Sequence, residues 1–223
     1  MAQLSTYQPT VFVVDDDESM RRALTRLFSA AGMAVETFSG PDDFLSRIRA
    51  DPCGCIILDV KMPGTNGLEL QHDLPKAGIA LPVIFVTAHA DVPLAVRAMK
   101  EGALEVFMKP FDHERLMDAV RQAIARDELR YHEESEHEML LARFHTLTPR
   151  EREVMALVVT GMLNKQVAAT LGTSLKTVKV HRAHVVKKMG ADSLPDLVRM
   201  AVRLGLPQAP PDDSSRGEVP KVQ

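Results

Sequence analysis

The first 125 residues alternate between short apolar runs and amphipathic helical patterns. Val11–Val14, Ile56–Leu58 and Val83–Val86 are continuous apolar runs, as expected of strands that are buried on both faces. Met33–Phe38 and Leu104–Met108 complete a set of five predicted strands. Because parallel strands need crossover helices, this alternation predicts a doubly wound α/β domain with a five-stranded parallel sheet.

The segments between these strands show amphipathic helical patterns and residues that end helices. Apolar residues three and four apart from Met20 to Ala31 predict the first helix, which Gly32 is placed to end. Three further helices are predicted over Pro41–Ala50, Gly67–Leu74 and Val92–Lys100. A fifth helical pattern starts at Asp112. In such folds ligands bind beyond the carboxyl ends of the strands, so functional residues are expected there.

Residues 146–206 show a different pattern, with four short helices in about 60 residues. In Thr148-Pro149-Arg150-Glu151 the Thr is placed as an N-cap, the Pro as the first helical residue and the Glu as the third. The helices that follow are predicted over Lys165–Leu171, from Ser174 to Met189, and from Ser193 to about Leu204. This segment is therefore expected to be a small all-α domain.

These patterns predict an α/β domain over residues 9–125 and an all-α domain over residues 146–206. Residues 126–145 between them are strongly polar, and the sequence is compatible with an exposed helix or a flexible linker. Residues 207–223 are rich in Pro, Ser and charge and are expected to be disordered. No apolar stretch approaches the roughly 18 residues of a membrane span, so no membrane partner is expected. Cys53 and Cys55 are too close in sequence to favour a disulfide, which indicates reduced thiols in a cytoplasmic protein.

The formal net charge of −3 argues against a uniformly basic nucleic-acid binder, but the charge is unevenly distributed. Residues 1–125 carry twelve Lys and Arg against seventeen Asp and Glu, a net charge of −5. Residues 146–206 carry ten against four, a net charge of +6. An acidic module joined to a basic one suggests a regulatory domain fused to an anion-binding domain, although chance clustering of surface charge is the alternative.

Polar side chains follow four of the five predicted strands. Asp15-Asp16-Asp17-Glu18 comes after the first strand, Asp59 after the third, Thr87 after the fourth and Lys109-Pro110 after the fifth. Carboxylates that converge at one sheet edge repel one another unless a cation lies between them, and an all-oxygen ligand set favours Mg²⁺ or Mn²⁺. A carboxylate can attack a phosphoryl group to form an acyl phosphate, with Lys109 neutralising charge on the transferred group.

On these residues, the segment from Val11 to about Ala125 resembles the receiver domain of two-component response regulators, and residues 89–111 resemble its FixJ-type branch. The resemblance implies that Asp59 is the phosphoacceptor and that Thr87 and Lys109 contact the phosphoryl group. It implies metal ligands at Asp15, Asp16, Asp59 and the main-chain carbonyl of Lys61. It also implies a cis Lys109–Pro110 bond and a dimer formed by the fourth helix and fifth strand, with Val92, Val96 and Lys100 as candidate contacts.

One position departs from the receiver pattern. Receivers of this kind usually carry Tyr or Phe three residues before the pocket lysine, and the movement of that ring follows the pocket Thr. Here the position is Val106, while strand alternation places Phe107 on the opposite face. Two alternatives follow: either Phe107 belongs to the core and the switch is muted, or phosphorylation is transmitted through the loop and helix after Thr87 alone. We expect phosphorylation to shift the equilibrium less than in relatives that carry the aromatic residue.

The third helix of the all-α domain, LKTVKVHRAHVVKKM, is basic along its polar side and contains no acidic residue. Its charged positions are Lys176, Lys179, Arg182, Lys187 and Lys188. A helix of this kind can lie in the DNA major groove, and the Gly-bearing turn Leu171-Gly172-Thr173 suits helix-turn-helix geometry. A merely solvated basic face is the alternative, but the turn, the length and the uniform charge favour DNA binding.

Residues 147–204 resemble the LuxR-type helix-turn-helix domain of NarL/FixJ response regulators. The resemblance is carried by the segment LTPREREVMALVVTGMLNKQVAATLGTSLKTVKVHRAHVVKKM. Carried over by position, the candidate DNA contacts are Lys165, Thr177, Lys179, Val180, His181, Arg182 and Lys187. The family often has Ser or Thr where Leu163 stands, so Asn164 is expected to cap the helix instead. His181 and His184 have no third ligand and are expected to pack or to contact phosphate, not to bind a metal.

The resemblance implies a phosphorylation-controlled transcription regulator of the bacterial cytoplasm, which hydrolyses its own acyl phosphate but is not a turnover enzyme. Its partners would be a sensor histidine kinase, double-stranded DNA, a second copy of itself and RNA polymerase. Two alternatives remain from the sequence. Asp15-x-Asp17 resembles the opening of aspartate-nucleophile phosphatases, which would attack through Asp15 but would leave the basic helix without a role. A regulator that works unphosphorylated is the other, and Val106 keeps it open.

Overall fold

The structure, a computed structural model, describes residues 7–49, 51–63, 66–88 and 92–206. Its contacts divide the chain into two compact units, one up to His132 and one from Glu133 onwards. The tail 207–223 and residues 89–91 of the FixJ-like segment lie outside the described residues. Within the described residues, no helix has the length and apolar character needed to cross a membrane.

The first unit is built on a five-stranded parallel sheet with strand order β2-β1-β3-β4-β5. Its strands are β1 (Thr10–Val14), β2 (Ala34–Phe38), β3 (Gly54–Leu58), β4 (Val83–Thr87) and β5 (Glu105–Met108). Its helices are α1 (Glu18–Ala30), α2 (Pro41–Arg47), α3 (Gly67–Asp73), α4 (Val92–Lys100) and the first part of α5 (His113–His145). A short 3₁₀ turn covers Pro75–Ala77. The predicted doubly wound α/β fold is confirmed.

Both faces of the sheet are covered, which explains why the strands read as continuous apolar runs. Along β1, Val11 and Val13 belong to a cluster that includes Phe28 of α1. Phe12 and Val14 point to the other face, into a cluster with other buried side chains that include Phe38, Phe44 and Leu58. A strand buried on both faces needs an apolar side chain at every position, so alternation is lost from the sequence.

Helix α2 ends at Arg47, earlier than the predicted end at Ala50. Ile48 leaves helical geometry, with φ −61° and ψ 134°, and its side chain packs against the core cluster beneath β1 and β3. Burial of this side chain favours the earlier helix end. Asp51, which precedes a proline, has φ 52°.

The second unit is helical, as predicted, with α6 (Pro149–Val158), α7 (Asn164–Thr170), α8 (Leu175–Met189) and α9 (Leu194–Arg203). The capping box expected at Thr148 and Glu151 is present, since each side chain accepts a hydrogen bond from the other residue's main-chain N–H. Ser174 and Ser193 cap α8 and α9. The core of this unit includes Val154, Val178, Val185, Met189 and Leu197.

Helix α5 runs unbroken for 33 residues and contributes to both units. Residues 126–145, for which the sequence allowed a helix or a flexible linker, are helical. In the first unit Asp127 is fully buried and accepts hydrogen bonds from the main-chain N–H of Gly54 at 2.7 Å and from Tyr7 Oη at 3.1 Å. In the second unit Phe144 packs against the helical core.

Candidate functional site

Three carboxylates meet at the carboxyl edge of the sheet. Asp15 follows β1 and Asp59 follows β3, and these strands are neighbours. One oxygen from each of Asp15, Asp16 and Asp59 lies within 4.8 Å of the others. Asp15 and Asp59 are buried, while Asp16 is exposed. The pocket is therefore an acidic, all-oxygen site that is compatible with a divalent metal ion.

Lys109 lies between two of these carboxylates. Its Nζ is 2.8 Å from Asp15 Oδ2 and 3.0 Å from Asp59 Oδ2, and its side chain is only 16% exposed. Burial alone would lower the pKa of Lys109, but hydrogen bonds to Asp15 and Asp59 outweigh burial, and the net pKa is raised. The ammonium group is thus held charged against the two carboxylates. The Lys109–Pro110 bond is cis, as the resemblance implied.

Burial raises the pKa of Asp15, although hydrogen bonds from Lys109 and from the main-chain N–H of Asp17 partly offset this effect. Asp15 Oδ1 accepts the bond from Asp17 at 2.8 Å, while Oδ2 accepts the bond from Lys109. Both oxygens of Asp15 thus already have partners within the chain. Asp59 Oδ1 accepts a longer bond, 3.3 Å, from the main-chain N–H of Lys61.

Asp17, the third residue of the acidic run, has a structural role. It is the N-cap of α1, and its Oδ1 accepts hydrogen bonds from Ser19 N at 2.8 Å and Ser19 Oγ at 2.7 Å. These bonds lower the pKa of Asp17. The phosphatase alternative needs Asp15 and Asp17 as a reacting pair, but Asp15 is engaged by Lys109 and Asp17 by the helix start.

Two residues of this site were missed by the sequence reasoning. Arg21 of α1 donates from Nη1 to the main-chain oxygen of Asp15 at 2.6 Å, which holds the loop after β1. Gly67 begins α3, and a Cβ at this position would lie 2.1 Å from the main-chain oxygen of Asp59. Only glycine permits this approach of α3 to the Asp59 loop. An arginine on a predicted helix and a glycine at a helix start gave no specific signal in the sequence.

Thr87 is buried at the end of β4, and its main-chain oxygen accepts a hydrogen bond from the N–H of Lys109 at 2.8 Å. Nearby in β5, Phe107 is 6% exposed and belongs to the cluster beneath α1 and α5. Val106 is half-buried and packs against the cluster on the opposite face, against which Leu94 of α4 also packs. Strand alternation therefore assigned the two side chains to the correct faces, and Phe107 is a core residue.

Helix α4 and β5 expose several large apolar side chains. Val92 is 77% exposed and Val96 is 46% exposed, and Lys100 is also exposed. Met99 of α4 and Met108 of β5, which the sequence reasoning did not single out, are 49% and 56% exposed. Apolar side chains that cluster on a surface are typical of an interaction site.

Helix α8 presents a basic face. Val178, Val185 and Met189 attach it to the core of the second unit. Of the seven candidate DNA contacts, Lys165, Lys179, Val180 and Lys187 are exposed, while Thr177, His181 and Arg182 are half-buried. The Thr177 hydroxyl is 2.8 Å from the Ser174 hydroxyl, at the capped start of the helix. Helices α7 and α8 are joined through Gly172, which has φ 59°.

The expectation that Asn164 caps α7 is wrong. Leu163 is the N-cap residue and its main-chain N–H donates to Gln166 Oε1 at 2.7 Å, while Asn164 is the first helical residue. With the helix start closed by Gln166, the Asn164 side chain points to α8, where its Oδ1 accepts a hydrogen bond from Arg182 Nη1 at 3.0 Å. Asn164 therefore orients a candidate DNA contact.

Lys188 does not belong to the free basic face on which the sequence placed it. Its Nζ is 2.6 Å from Glu151 Oε2 and 3.2 Å from the main-chain oxygen of Thr146. His184 Nδ1 lies 3.4 Å from Glu151 Oε1. The hydrogen bond from Lys188 is the main cause that lowers the pKa of Glu151 to about 2. Glu151 thus connects α6 to α8.

Comparison with known proteins identifies both units. Residues 11–121 match the response regulator receiver domain family, and residues 145–201 match the luxR family of bacterial regulatory proteins. Nodulation protein W of Bradyrhizobium diazoefficiens is 48% identical over 196 residues, 88% of this chain and 86% of that protein. Transcriptional regulatory protein FixJ of Azorhizobium caulinodans is 42% identical over 205 residues, 92% of this chain and 96% of that protein.

Among solved structures, that of the response regulator StyR matches with a TM-score of 0.82 at 42% identity, covering 88% of this chain and 99% of the other. A receiver fold with an acidic pocket, followed by a helix-turn-helix domain, defines a DNA-binding response regulator of a two-component system. The chain belongs to the NarL/FixJ family of these transcription regulators. Members of this family are not typical turnover enzymes, and their two domains imply DNA and a sensor kinase as partners.

Proposed function

We propose that Asp59 is the phosphoacceptor and that its phosphorylation by a sensor histidine kinase controls dimerisation and promoter binding. The observation that carries the proposal is the position of Lys109 Nζ, 3.0 Å from Asp59 Oδ2, in a pocket with two further carboxylates. Asp59 is 8% exposed, so it can be reached from the pocket mouth, whereas Asp15 is 1% exposed. A lone buried carboxylate would lack both the charge partner and the cation site.

We propose Mg²⁺, or Mn²⁺ in its place, as the resident cation. Its ligands would be Asp15, Asp16, Asp59 and the main-chain carbonyl of Lys61. The three carboxylates offer only oxygen ligands, which fits a hard cation. When bound, the cation would neutralise charge on the carboxylate and the phosphoryl oxygens.

In the proposed transfer, an Asp59 carboxylate oxygen attacks the phosphorus of the kinase phosphohistidine. A P–O bond to Asp59 forms as the P–N bond breaks, and the imidazole leaves. The Lys109 ammonium then shifts from the Asp59 oxygen to the phosphoryl group, and the Thr87 hydroxyl donates to a phosphoryl oxygen. Attack of water on the phosphorus later breaks the P–O bond to Asp59, which restores the carboxylate and releases inorganic phosphate. This step is the only hydrolysis that we propose.

The output would use the two surfaces described above. The exposed face of α4 and β5, with Val92, Val96 and Lys100, would pair two receivers after phosphorylation. Two copies of α8 would then enter the major groove at half-sites about one helical turn apart. The proposed contacts are Lys165, Thr177, Lys179, Val180, His181, Arg182 and Lys187. We place this regulator in the bacterial cytoplasm, where kinase, promoter and RNA polymerase are available to it.

Labelling with a small-molecule phosphodonor tests the phosphoacceptor. Asp59→Asn should abolish acid-stable, hydroxylamine-sensitive labelling and leave the fold intact, as judged by circular dichroism. Asp17→Asn is the matched control, because the Asp17 side chain is the N-cap of α1 and asparagine also caps helices. This variant should still be labelled. Continued labelling of Asp59→Asn would overturn the assignment, and turnover of phosphate esters by that variant would revive the phosphatase alternative.

A further inference from the structure

The last two turns of α5 pack into the helical unit, and Arg143 within them contacts the C-terminus of α8. Leu140 is 7% exposed, Phe144 packs against the helical core, and Leu147, which follows the helix, is 2% exposed. The match to the luxR family begins only at residue 145. Side chains before that match therefore help to hold the helix that is proposed to read DNA.

Arg143 makes the most specific of these contacts. Its Nη1 donates to the main-chain oxygen of Met189, the last residue of α8, at 3.0 Å. A helix C-terminus carries partial negative charge and carbonyls without intrahelical partners, so a guanidinium group binds there favourably. Gly190 follows with φ 69°, and a Cβ at that position would lie 3.0 Å from Arg143 Nη1. The glycine thus leaves room for the guanidinium group.

In a second contact the donor lies on α8 and the acceptor lies just after α5. Lys188, in the last turn of α8, donates to the main-chain oxygen of Thr146, just after α5 ends. The end of each helix is thus bound by a cation from the other side of the contact. Two such contacts fix both the distance and the direction of approach more tightly than one would.

We propose that Arg143 is a positioning residue that sets the tilt of α8 and thereby the sequence specificity of DNA binding. The proposal rests on α8 being the DNA-reading helix. A 15-residue helix is about 22 Å long, so a tilt of about 5° at its C-terminus displaces its first turn by about 2 Å. Hydrogen bonds to base edges tolerate much less displacement, whereas contacts between flexible lysines and phosphates tolerate more.

The test compares full-chain variants on two DNA duplexes, one selected by the wild-type protein from a random library and one unrelated to it. Arg143→Met should weaken binding to the selected duplex by about tenfold and leave binding to the unrelated duplex nearly unchanged. Arg143→Lys, which keeps a cation at the helix end, should restore most of the lost affinity. Arg199→Met is the control, because it removes one exposed positive charge from the same unit.

Equal weakening on both duplexes would overturn the proposal, since it would indicate a general loss of charge or of folded protein. A salt dependence that falls by about 0.9 in slope would also overturn it, because Arg143 would then contact a phosphate directly. Lys179→Ala separates the two proposals. If that variant binds both duplexes as wild type does while Arg143→Met loses the selected one, the phosphate contact proposed for Lys179 fails and the contribution of Arg143 to specificity stands.

Discussion

Replacing Glu151 with glutamine should destabilise the helical unit through the loss of one charge. The Glu151 side chain is 4% exposed and its Oε2 lies 2.6 Å from Lys188 Nζ, while Oε1 lies 3.4 Å from His184 Nδ1. The same carboxylate accepts the main-chain N–H of Thr148 at 2.8 Å and completes the capping box of α6. Glutamine keeps the shape and one acceptor oxygen, so the change isolates the charge.

The magnitude follows from the pKa of this carboxyl. Hydrogen bonding to Lys188 is the main cause that lowers it from 4.5 to about 2, although burial opposes the shift. Such a difference corresponds to about 3.5 kcal/mol at about 1.4 kcal/mol per pKa unit. Because Lys188 and His184 are 35% and 57% exposed, solvent screens much of this interaction, and we expect a loss of about 1–2 kcal/mol.

The pH dependence has a definite sign. The pKa of Glu151 is lower in the folded state, so its stabilisation is complete above 4.5 and is lost as the pH falls from there towards 2. The difference in unfolding free energy between wild type and Glu151→Gln should therefore shrink over that range.

Urea unfolding of the full chain, followed by amide signals of α6 and α8, measures this difference in unfolding free energy. Glu153→Gln is the control, since its pair with Arg150 is more exposed, and it should cost less than about 0.5 kcal/mol. Equal losses for the two variants at pH 7 would refute the reasoning.

Three further predictions concern the basic helix α8, the acidic pocket and the Val106 position of β5. Lys179→Ala should weaken DNA binding and reduce the slope of log K against log salt by about 0.9, whereas an unchanged slope would mean that Lys179 does not contact a phosphate. Gly67→Ala should lower the stability of the receiver by about 1–3 kcal/mol and slow labelling by a phosphodonor, because the new Cβ would lie 2.1 Å from the Asp59 main-chain oxygen; wild-type labelling and stability would contradict this. Val106→Tyr should increase the gain in dimerisation on phosphorylation, measured by sedimentation velocity, and a gain already large in the wild type would count against the muted switch.

The sheet and the acidic pocket could be predicted because each depends on a short-range signal. Burial on both faces leaves continuous apolar runs such as Val11–Val14, and parallel strands bring their carboxyl ends to one edge. Asp59 and Lys109 are 50 residues apart in the sequence, yet the β–α pattern alone indicates that they meet. The prediction needed only the strand order, not the positions of side chains.

Contacts that depend on how helices pack could not be predicted in this way. Lys187 and Lys188 are neighbours with the same charge, but Lys187 is exposed while Lys188 binds Glu151. Asn164 was expected to cap α7 and instead binds Arg182, because α8 crosses close to the start of α7. A rotation of 100° per residue decides which side chain faces a neighbouring helix, and the crossing angle that sets this rotation is absent from the local sequence.

Lysines and arginines of the helical unit make different kinds of contact, and this difference explains how a protein with a net charge of −3 can bind DNA. In the helical unit, several arginines bind carbonyl oxygens at helix ends or side chains nearby, as Arg143, Arg150 and Arg182 do. Lys165, Lys176, Lys179 and Lys187 are exposed and have no ion pair among the described residues. Lys165, Lys179 and Lys187, which are among the proposed DNA contacts, are point charges suited to phosphates, and they would give a salt slope of about −2.7 for each bound chain at about −0.9 per contact. Arg182, which Asn164 holds in place, is better suited to a base edge, where orientation matters more than charge.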